Sequence, residues 1–466
     1  MTWDFAESNP LSNSTGNYMG SLEYITKVIG HQSSSTQGYV DVRQHNAVTI
    51  KGFKEKILIS TDPPYYDNIG YADLSDFFYV WLRRSLGSVL PNLFQTMLVP
   101  KSEELVATPY RFGGSKEKAK NFFEKGLGEA FGRMREIAHP DFPVTVYYAF
   151  KQSETDETDD DQHGDSPAVA STGWETMLTG LIQAGFQITG TWPMRSELAN
   201  RMVGQGTNAL ASSIVLVCRP RPQDAGTVTR REFVSSLKRE LPQALRELQQ
   251  GNIAPVDLAQ AAIGPGMAIF SRYHAIQEAD GNIISVRTAL GMINQMLDEV
   301  LAEQEGDFDA NTRWALAWFS QYGLEEHSYG EAETLSKAKN TSVQGMVEAG
   351  ILHAKAGKVR LLRRDELPKA WQPQQDKNIP VWEATQHLVR VVQDEGEEAA
   401  ATLSLQLGDM ADTARELAYR LYRICELKGW TQEALAYNSL VTSWSEVSRL
   451  AIKAQNIKNI QGSLDL

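Results

Sequence analysis

The residues Asp62, Pro63, Pro64 and Tyr65 form the segment of this chain whose types and spacing could do chemistry. Two consecutive prolines fix φ and remove two N–H donors, so the turn is stiff and its carbonyl oxygens remain available as acceptors. The Asp62 carboxylate and the Pro63 carbonyl could hold the hydrogens of an exocyclic amine. The lone pair on that nitrogen could then attack a methyl sulfonium in line, with positioning and electrostatics supplying most of the acceleration. The alternative is a proline-rich turn with a capping aspartate.

A nucleobase is the kind of amine that explains the aromatic residues beside this turn. A base inside a duplex cannot reach such a site, so it must flip out and its lost stacking must be replaced. Tyr65 is placed to stack on the base and Tyr66 to support it. Asn68 lies in the next segment and is predicted to help shape the base pocket.

The elements around the motif predict an α/β fold. Residues 57–59 form a short apolar run that ends at Asp62, which is typical of a buried parallel strand. Strands and helices then alternate, which predicts a partial doubly wound, largely parallel, Rossmann-like sheet with ligands bound at the carboxyl ends of its strands. The predicted elements are a helix over 75–85 capped by Ser75, a helix over 122–138, a strand over 143–150, a helix over 173–184, and strands over 186–192 and 212–218.

The aromatic helix after the motif has two interpretations. Phe77, Phe78, Tyr79 and Trp81 are predicted to pack in a core rather than form a stacking platform. Asp76 is predicted to cap a helix rather than line the base pocket.

A polar loop joins the last two predicted strands. Arg195, Arg201, Gln205 and Asn208 lie in it, near the expected rim of the site. They are predicted to contact phosphate or the target base, and an ordinary surface loop is the alternative.

Beyond Arg219-Pro220-Arg221-Pro222 the chain becomes mostly helical. Three short helices and a hairpin around Ala356-Gly357 follow the order of a winged helix. Lys358, Arg360 and Arg363 belong to a basic run on this hairpin that could contact phosphate, with a solvated hairpin as the alternative. The predicted domains are 1–55 packing on the catalytic part, 56–222 catalytic, 223–300 a helical connector, 301–366 winged-helix-like, and 367–466 helical.

The motif and its flanks resemble one family, the large adenine-specific DNA methylases whose full-length members include a zinc ribbon, some of them found in phage-defence islands. Asp62 to Tyr65 matches the DPPY motif of amino-methyltransferases, and the likeness covers nearly the whole chain. The matching segments are Trp3–Pro10, Thr61–Arg84, Thr191–Arg221 and Trp430–Ala451.

The resemblance implies S-adenosylmethionine as cofactor, adenine N6 in DNA as target, and the target-base half of the methyltransferase sheet. It also implies a donor-binding loop of the type D-P-F-x-G-G-G, whose glycines permit close approach of the backbone to the donor. The chain has no such loop, and its two cysteines cannot form a zinc ribbon. We therefore expect either a partner chain that carries the donor half or a truncated gene product with weak or no activity.

Composition sets the remaining limits. With a net charge of −13, the chain as a whole does not provide a positive electrostatic field that would attract DNA. Contacts with DNA must therefore come from local basic patches. No apolar run approaches a membrane span and no secretory signal is visible, which predicts a cytoplasmic location without membrane or metal partners. Two rival functions stay open: a non-catalytic DNA-binding or assembly subunit, and methylation of another amine such as a glutamine side chain or an RNA base.

Overall fold

The computed structural model describes residues 9–13, 16–32, 41–64, 66, 70–148, 172–195, 212–376 and 379–464. The fold is α/β, with small sheets among many helices, as predicted. Within the described residues, no helix combines the length and the apolar character needed to cross a membrane.

In the described residues, the N-terminal part contains four α-helices and a four-stranded sheet. The strands predicted over 143–150, 186–192 and 212–218 and the helix over 173–184 are confirmed within a few residues. The helix predicted over 122–138 is present but begins at Lys116, and the first strand is Ser60–Thr61, just after the predicted run at 57–59. The elements are α1 (Tyr18–Gln32), β1 (Ser60–Thr61), α2 (Tyr71–Leu86), α3 (Lys116–Ile137), β2 (Val144–Tyr148), α4 (Thr172–Gln183), β3 (Phe186–Arg195) and β4 (Ser212–Pro220).

The prediction of a largely parallel sheet is wrong. The strand order is β1-β2-β4-β3, and only β1 and β2 pair in parallel. β4 pairs antiparallel with both of its neighbours. Strands that are consecutive in the chain and adjacent in the sheet commonly run antiparallel, and apolar patterning cannot reveal this direction.

Strand alternation places one face of this sheet in a core. Val144, Val146 and Tyr148 of β2 and Leu216 of β4 are at most 1% exposed. They pack with Phe131 of α3 and other residues of α3 and α4. Ser115 caps α3 by accepting from the Lys118 N–H at 3.3 Å, which satisfies one of the free amides at the helix start.

The next helices complete the same core. Gly264 of α6 is needed for close packing on β3, because a Cβ there would lie 1.9 Å from Thr191 Oγ1. The elements are β5 (Thr227–Thr229), α5 (Arg230–Gln250), α6 (Pro255–Ser271), β6 (Ala275–Gln277) and α7 (Val286–Glu303). The predicted connector over 223–300 therefore shares its core with the sheet.

The C-terminal part has a second core, to which Val256 and Leu258 of α6 also contribute. The predicted hairpin is confirmed, and its two-residue turn has φ of +53° at Ala356 and +75° at Gly357, as a type I′ turn requires. The elements are α8 (Ala310–Tyr322), β7 (His327–Ser328), α9 (Tyr329–Ala338), α10 (Val343–Glu348), β8 (Leu352–Lys355), β9 (Lys358–Leu361), α11 (Val381–Asp394), α12 (Glu397–Leu407), α13 (Met410–Lys428) and α14 (Thr431–Leu464).

Side chains at the start of α8 accept hydrogen bonds from the first backbone amides of α11. Asp309 and Thr312 accept from the backbone N–H groups of Val381 and Trp382 at 3.0 and 2.9 Å. Pro380 at the N-cap of α11 has no side-chain acceptor, so the start of α8 satisfies amides that would otherwise be buried without partners. The segments predicted as 301–366 and 367–466 share one core.

Candidate active site

The candidate site lies where β1 ends. Asp62 follows Thr61 directly and is exposed, whereas Pro63 is buried and Pro64 is half-buried. These three residues and Tyr71 line a cavity of about 360 Å³. Ligand pockets start at about 300 Å³, so the cavity lies at the small end of that range.

The sheet directs three strand ends toward the same edge. β2 runs parallel to β1, and β3 runs in the same direction because both β2 and β3 are antiparallel to β4. The pairs Ser60–Thr145 and Thr61–Val146 place Asp62 one step beyond the last paired residue. An exposed carboxylate at the carboxyl edge of the sheet is well placed to meet a ligand.

The structure gives Tyr66 a packing contact. Its ring meets the ring of buried Phe123 edge-on, with centroids 5.2 Å apart. Its carbonyl accepts from the Ala107 N–H at 2.8 Å. Tyr66 is half-buried and anchors the chain after the proline turn. Tyr65 and Asn68 lie outside the described residues.

A charged network holds the start of α2 beside the cavity. The Arg111 guanidinium lies 2.7 Å from Asp73 Oδ2 and 2.8 Å from Glu104 Oε2. The other oxygen of Glu104 accepts from the Ala72 N–H at 2.9 Å. The Tyr110 hydroxyl and Arg111 hold the pKa of Asp73 below its usual range. The network fixes the backbone next to Tyr71, which lines the cavity. Patterning did not identify it, because Glu104 and Arg111 are distant in sequence from α2.

Two predictions about α2 are wrong. The helix begins at Tyr71 after Gly70, so Ser75 is not its cap. Asp76 does not cap it either, since its carboxylate accepts from the Val99 N–H at 2.9 Å and from Lys101 Nζ at 2.7 Å. Helix periodicity locates the interior of a helix better than its first residue.

The aromatic residues of α2 divide between two faces. Tyr79 is buried and its hydroxyl donates to the Thr96 carbonyl at 2.9 Å. Phe77, Phe78 and Trp81 are 69%, 63% and 60% exposed, so their predicted core packing is wrong. The apolar stripe was visible in the sequence, but the sequence could not show which face is covered.

The polar loop lies mostly outside the described residues. Arg195 ends β3, and its side chain is among those not described. Arg201, Gln205 and Asn208 also lie outside the described residues, so their predicted contacts stay predictions.

The hairpin brings some of its basic residues to solvent and pairs others. Lys358 is exposed, with Nζ 3.8 Å from Glu326 Oε2. Arg360 donates to both oxygens of Glu366, at 2.6 and 2.5 Å. This pairing lowers the pKa of Glu366 to about 2. Arg363 is exposed. A phosphate would meet Lys358 and Arg363 readily, but it would have to displace Glu366 from Arg360.

Arg364 belongs to the protein interior. It donates to both oxygens of Glu433 at 2.8 Å and to Gln386 at 3.1 Å. Its guanidinium also lies over the Tyr437 ring. Arg364 therefore joins the hairpin region to α11 and α14.

Across the part of the chain that the structure describes, His, Cys, Asp and Glu form no group of three that could hold a metal ion. Cys218 and Cys425 are both buried free thiols.

Comparison with known proteins gives one match. Residues 309–464 match a family model described as a domain of unknown function, DUF8807. It covers α8 to α14, which is the C-terminal core without the candidate site. No curated protein and no solved structure matches the chain.

Proposed function

We propose that this protein is the target-base half of an S-adenosylmethionine-dependent DNA methyltransferase that acts on adenine N6. In this proposal Asp62 and Pro63 accept hydrogen bonds from the target amine, and Tyr65 stacks on the flipped base. A partner chain supplies the donor-binding half.

The observation that carries the proposal is the cavity at the end of β1. Among the described residues, it combines the exposed carboxylate of Asp62 with two prolines and Tyr71. A stiff turn costs little reorganisation when charge develops on the amine, so its acceptors are effective in the transition state. Because Asp62 is exposed and Pro63 is buried, the turn is anchored on one side and open to a ligand on the other.

The edge of the sheet supports the predicted partner chain. β1 is an edge strand, and Leu58 just before it is 63% exposed. An exposed apolar edge is a liability for a lone protein, and a strand from a partner would cover it. A donor loop on that partner would then stand beside Asp62.

The C-terminal part supports a role in holding DNA. The order α8, β7, α9, α10, β8, β9, with sheet order β7-β9-β8, is compatible with a winged helix. Lys355 and Lys358 flank the hairpin turn and are exposed. Lysines at a wing tip can meet phosphate, which positions a protein on a duplex without reading its sequence.

The decisive experiment measures transfer of a labelled methyl group to DNA. The chain is co-expressed with a protein that carries a D-P-F-x-G-G-G loop, and wild type is compared with Asp62→Ala. Removing an acceptor that acts in the transition state is expected to slow transfer by about 10²-fold or more while DNA binding is retained. Asp141→Ala is the matched control, because this exposed aspartate lies in a loop away from the cavity.

The result also separates the rival functions. DNA binding with no methyl transfer by the wild-type pair would favour the non-catalytic DNA-binding or assembly subunit. Transfer to RNA or to protein glutamine instead of DNA would favour the other amine substrates. Equal transfer by wild type and Asp62→Ala would refute the role of Asp62.

A further inference from the structure

We infer that α2 is an interface helix, which pairs with α2 of a second copy of this chain through its exposed apolar face. The inference rests on the geometry of α2 and stands independently of the proposed methyl transfer.

One face of α2 packs against its own chain. Ala72 and Tyr79 are its buried residues. Asp76 and Arg83 lie on the same side, where Asp76 binds the Val99 N–H and Arg83 Nε donates to the Phe94 carbonyl at 3.3 Å. The helix is therefore held in place along its length, so its other face is presented in a fixed orientation.

The opposite face is apolar and exposed. Its large residues follow the i, i+3, i+4, i+7 spacing of a single helix face. At about 200 Å² for a fully exposed aromatic side chain, the four aromatic residues alone present about 500 Å². The largest apolar patch on a monomer is usually about 300–600 Å², so α2 reaches that range before its leucines are counted. The residues are Tyr71, Leu74, Phe77, Phe78, Trp81 and Leu82, with exposed fractions of 50%, 61%, 69%, 63%, 60% and 46%.

The order of residues along this face favours a second copy as the occupant. A two-fold axis between Phe77 and Phe78 would place Leu74 of one copy opposite Trp81 of the other, with the phenylalanines meeting at the centre. Such a pairing is isologous, because the same surface meets itself. The two helices would run antiparallel, which also pairs opposite ends of their dipoles.

Charge is complementary in the same arrangement. Asp73 lies in the first turn of α2, and Arg83 and Arg84 lie in the last. Arg84 is exposed and lies on the same flank of the helix as Asp73, so the two-fold axis would bring it toward Asp73 of the other copy. The Asp73 side chain is 39% exposed and can accept a further hydrogen bond beyond Arg111.

Further apolar surface continues from the end of the helix. Val80, Phe94, Met97 and Leu98 line a groove of about 580 Å³ together with Arg83 and Arg84. Met97 is 79% exposed. The groove extends the apolar surface toward the roughly 800 Å² per partner that stable dimers bury. At the other end of α2, Tyr71 lines the Asp62 cavity, so the second copy would stand at its rim.

The test is the mass of the full chain in solution, measured by light scattering and sedimentation. Between about 1 and 100 µM, which brackets the affinity of a small stable interface, wild type is expected to reach twice the 51.9 kDa of one chain. Phe78→Glu and Trp81→Glu are expected to weaken association at least tenfold. Phe78→Ser provides a milder variant, and Arg84→Glu is expected to weaken the dimer where Arg84→Lys retains it.

The control places the same substitution on another exposed apolar helix position. Ile452 of α14 is 60% exposed, and Ile452→Glu is expected to leave the dimer intact. Circular dichroism and melting temperature show whether each variant is folded. A wild-type chain that stays monomeric over the whole range overturns the inference, as does a dimer whose mass is the same in the α2 variants and in Ile452→Glu.

Discussion

At the scale of single residues, Asp62 and Pro63 have different roles in the proline turn. Pro63 is buried and fixes the turn, whereas Asp62 is exposed at the cavity. A carboxylate on a flexible loop would lose orientation entropy each time it bound an amine, and the proline turn avoids much of that cost. In the proposed function, the pair would hold the target amine in one geometry.

A second notable group of residues lies far from this cavity, on α11. Glu383 and His387 are one helical turn apart and are 4% and 0% exposed. The His387 ring stacks on Trp371 with centroids 4.0 Å apart, and neither ring nitrogen has a hydrogen-bond partner among the described residues. Burial raises the pKa of Glu383 to about 8 and lowers that of His387 to about 3. Both side chains are therefore uncharged in the fold near neutral pH.

The first prediction concerns the pH dependence that Glu383 imposes. Between its ordinary pKa of 4.5 and its folded pKa of about 8, the folded chain binds more protons than the unfolded chain. The free energy of unfolding therefore falls as pH rises through this window and levels off above it. Relative to Glu383→Gln, wild type is expected to lose about 2 kcal/mol between pH 6.5 and 8 in urea unfolding.

Between pH 6.5 and 8, Glu383 is the group on α11 whose protonation in the fold changes most. Burial lowers the pKa of His387 from 6.5 to about 3, so this histidine affects the free energy of unfolding mainly below about pH 7. Its contribution is the same in wild type and Glu383→Gln and cancels in their comparison. Glu395→Gln, at the exposed end of the same helix, is expected to keep the wild-type pH dependence. Identical slopes for wild type and Glu383→Gln would show that Glu383 is ionised in the fold.

At the scale of elements, a partly buried ion pair joins the hairpin of the C-terminal part to α14. Arg364 follows the hairpin and Glu433 lies in the first turn of α14, with side chains only 18% and 23% exposed. Gln386 of α11 binds the same guanidinium at 3.1 Å. A pair with this little solvent contact is costly to break from one side, because the remaining charge stays buried.

The second prediction concerns the removal of one partner of this ion pair. Arg364→Ala is expected to lower the free energy of unfolding by about 3 kcal/mol, since it leaves the Glu433 carboxylate without its partner. Urea unfolding of Arg364→Ala, Glu433→Gln and the double variant measures the coupling between them, expected at about 1–3 kcal/mol.

The matched comparison is an exposed pair on α14. Arg449 and Glu446 are 61% and 39% exposed, so Arg449→Ala is expected to lower the free energy of unfolding much less than Arg364→Ala does. If Arg364→Ala lowers the free energy of unfolding no more than Arg449→Ala does, the Arg364–Glu433 pair contributes little to stability.

At the scale of the whole molecule, two cores meet at α6. The first unites the sheet with α3 to α7, and the second unites α8 to α14. The cavity belongs to the first part and the basic hairpin to the second. In the proposed function, the second part would hold DNA while the cavity in the first part admits the flipped base.

The third prediction addresses the donor site at this scale. The sequence contains no D-P-F-x-G-G-G loop, so S-adenosylmethionine alone is expected to leave the melting temperature of the isolated chain unchanged. A ligand at about 1,000 times its dissociation constant would stabilise the fold by about 4 kcal/mol, which a thermal scan detects readily. A clear upward shift would mean that the chain binds the donor by itself.

The sequence alone predicted most of the elements. The alternation of apolar runs located β2, β3, β4, α3 and α4, and Ala356-Gly357 predicted the hairpin turn that the structure has. It also placed Asp62 after a strand. These are local properties, because periodicity, turn residues and strand ends depend on neighbours in the chain.

Tertiary structure decided what those elements face. β4 runs antiparallel to its neighbours in the sheet, and Phe77, Phe78 and Trp81 are exposed. Arg360 pairs with Glu366, whereas Arg364 pairs with Glu433. Strand direction, burial and ion pairing depend on residues far apart in the chain. A pattern along one segment therefore carries no information on which of its faces is covered or which of its charges is paired.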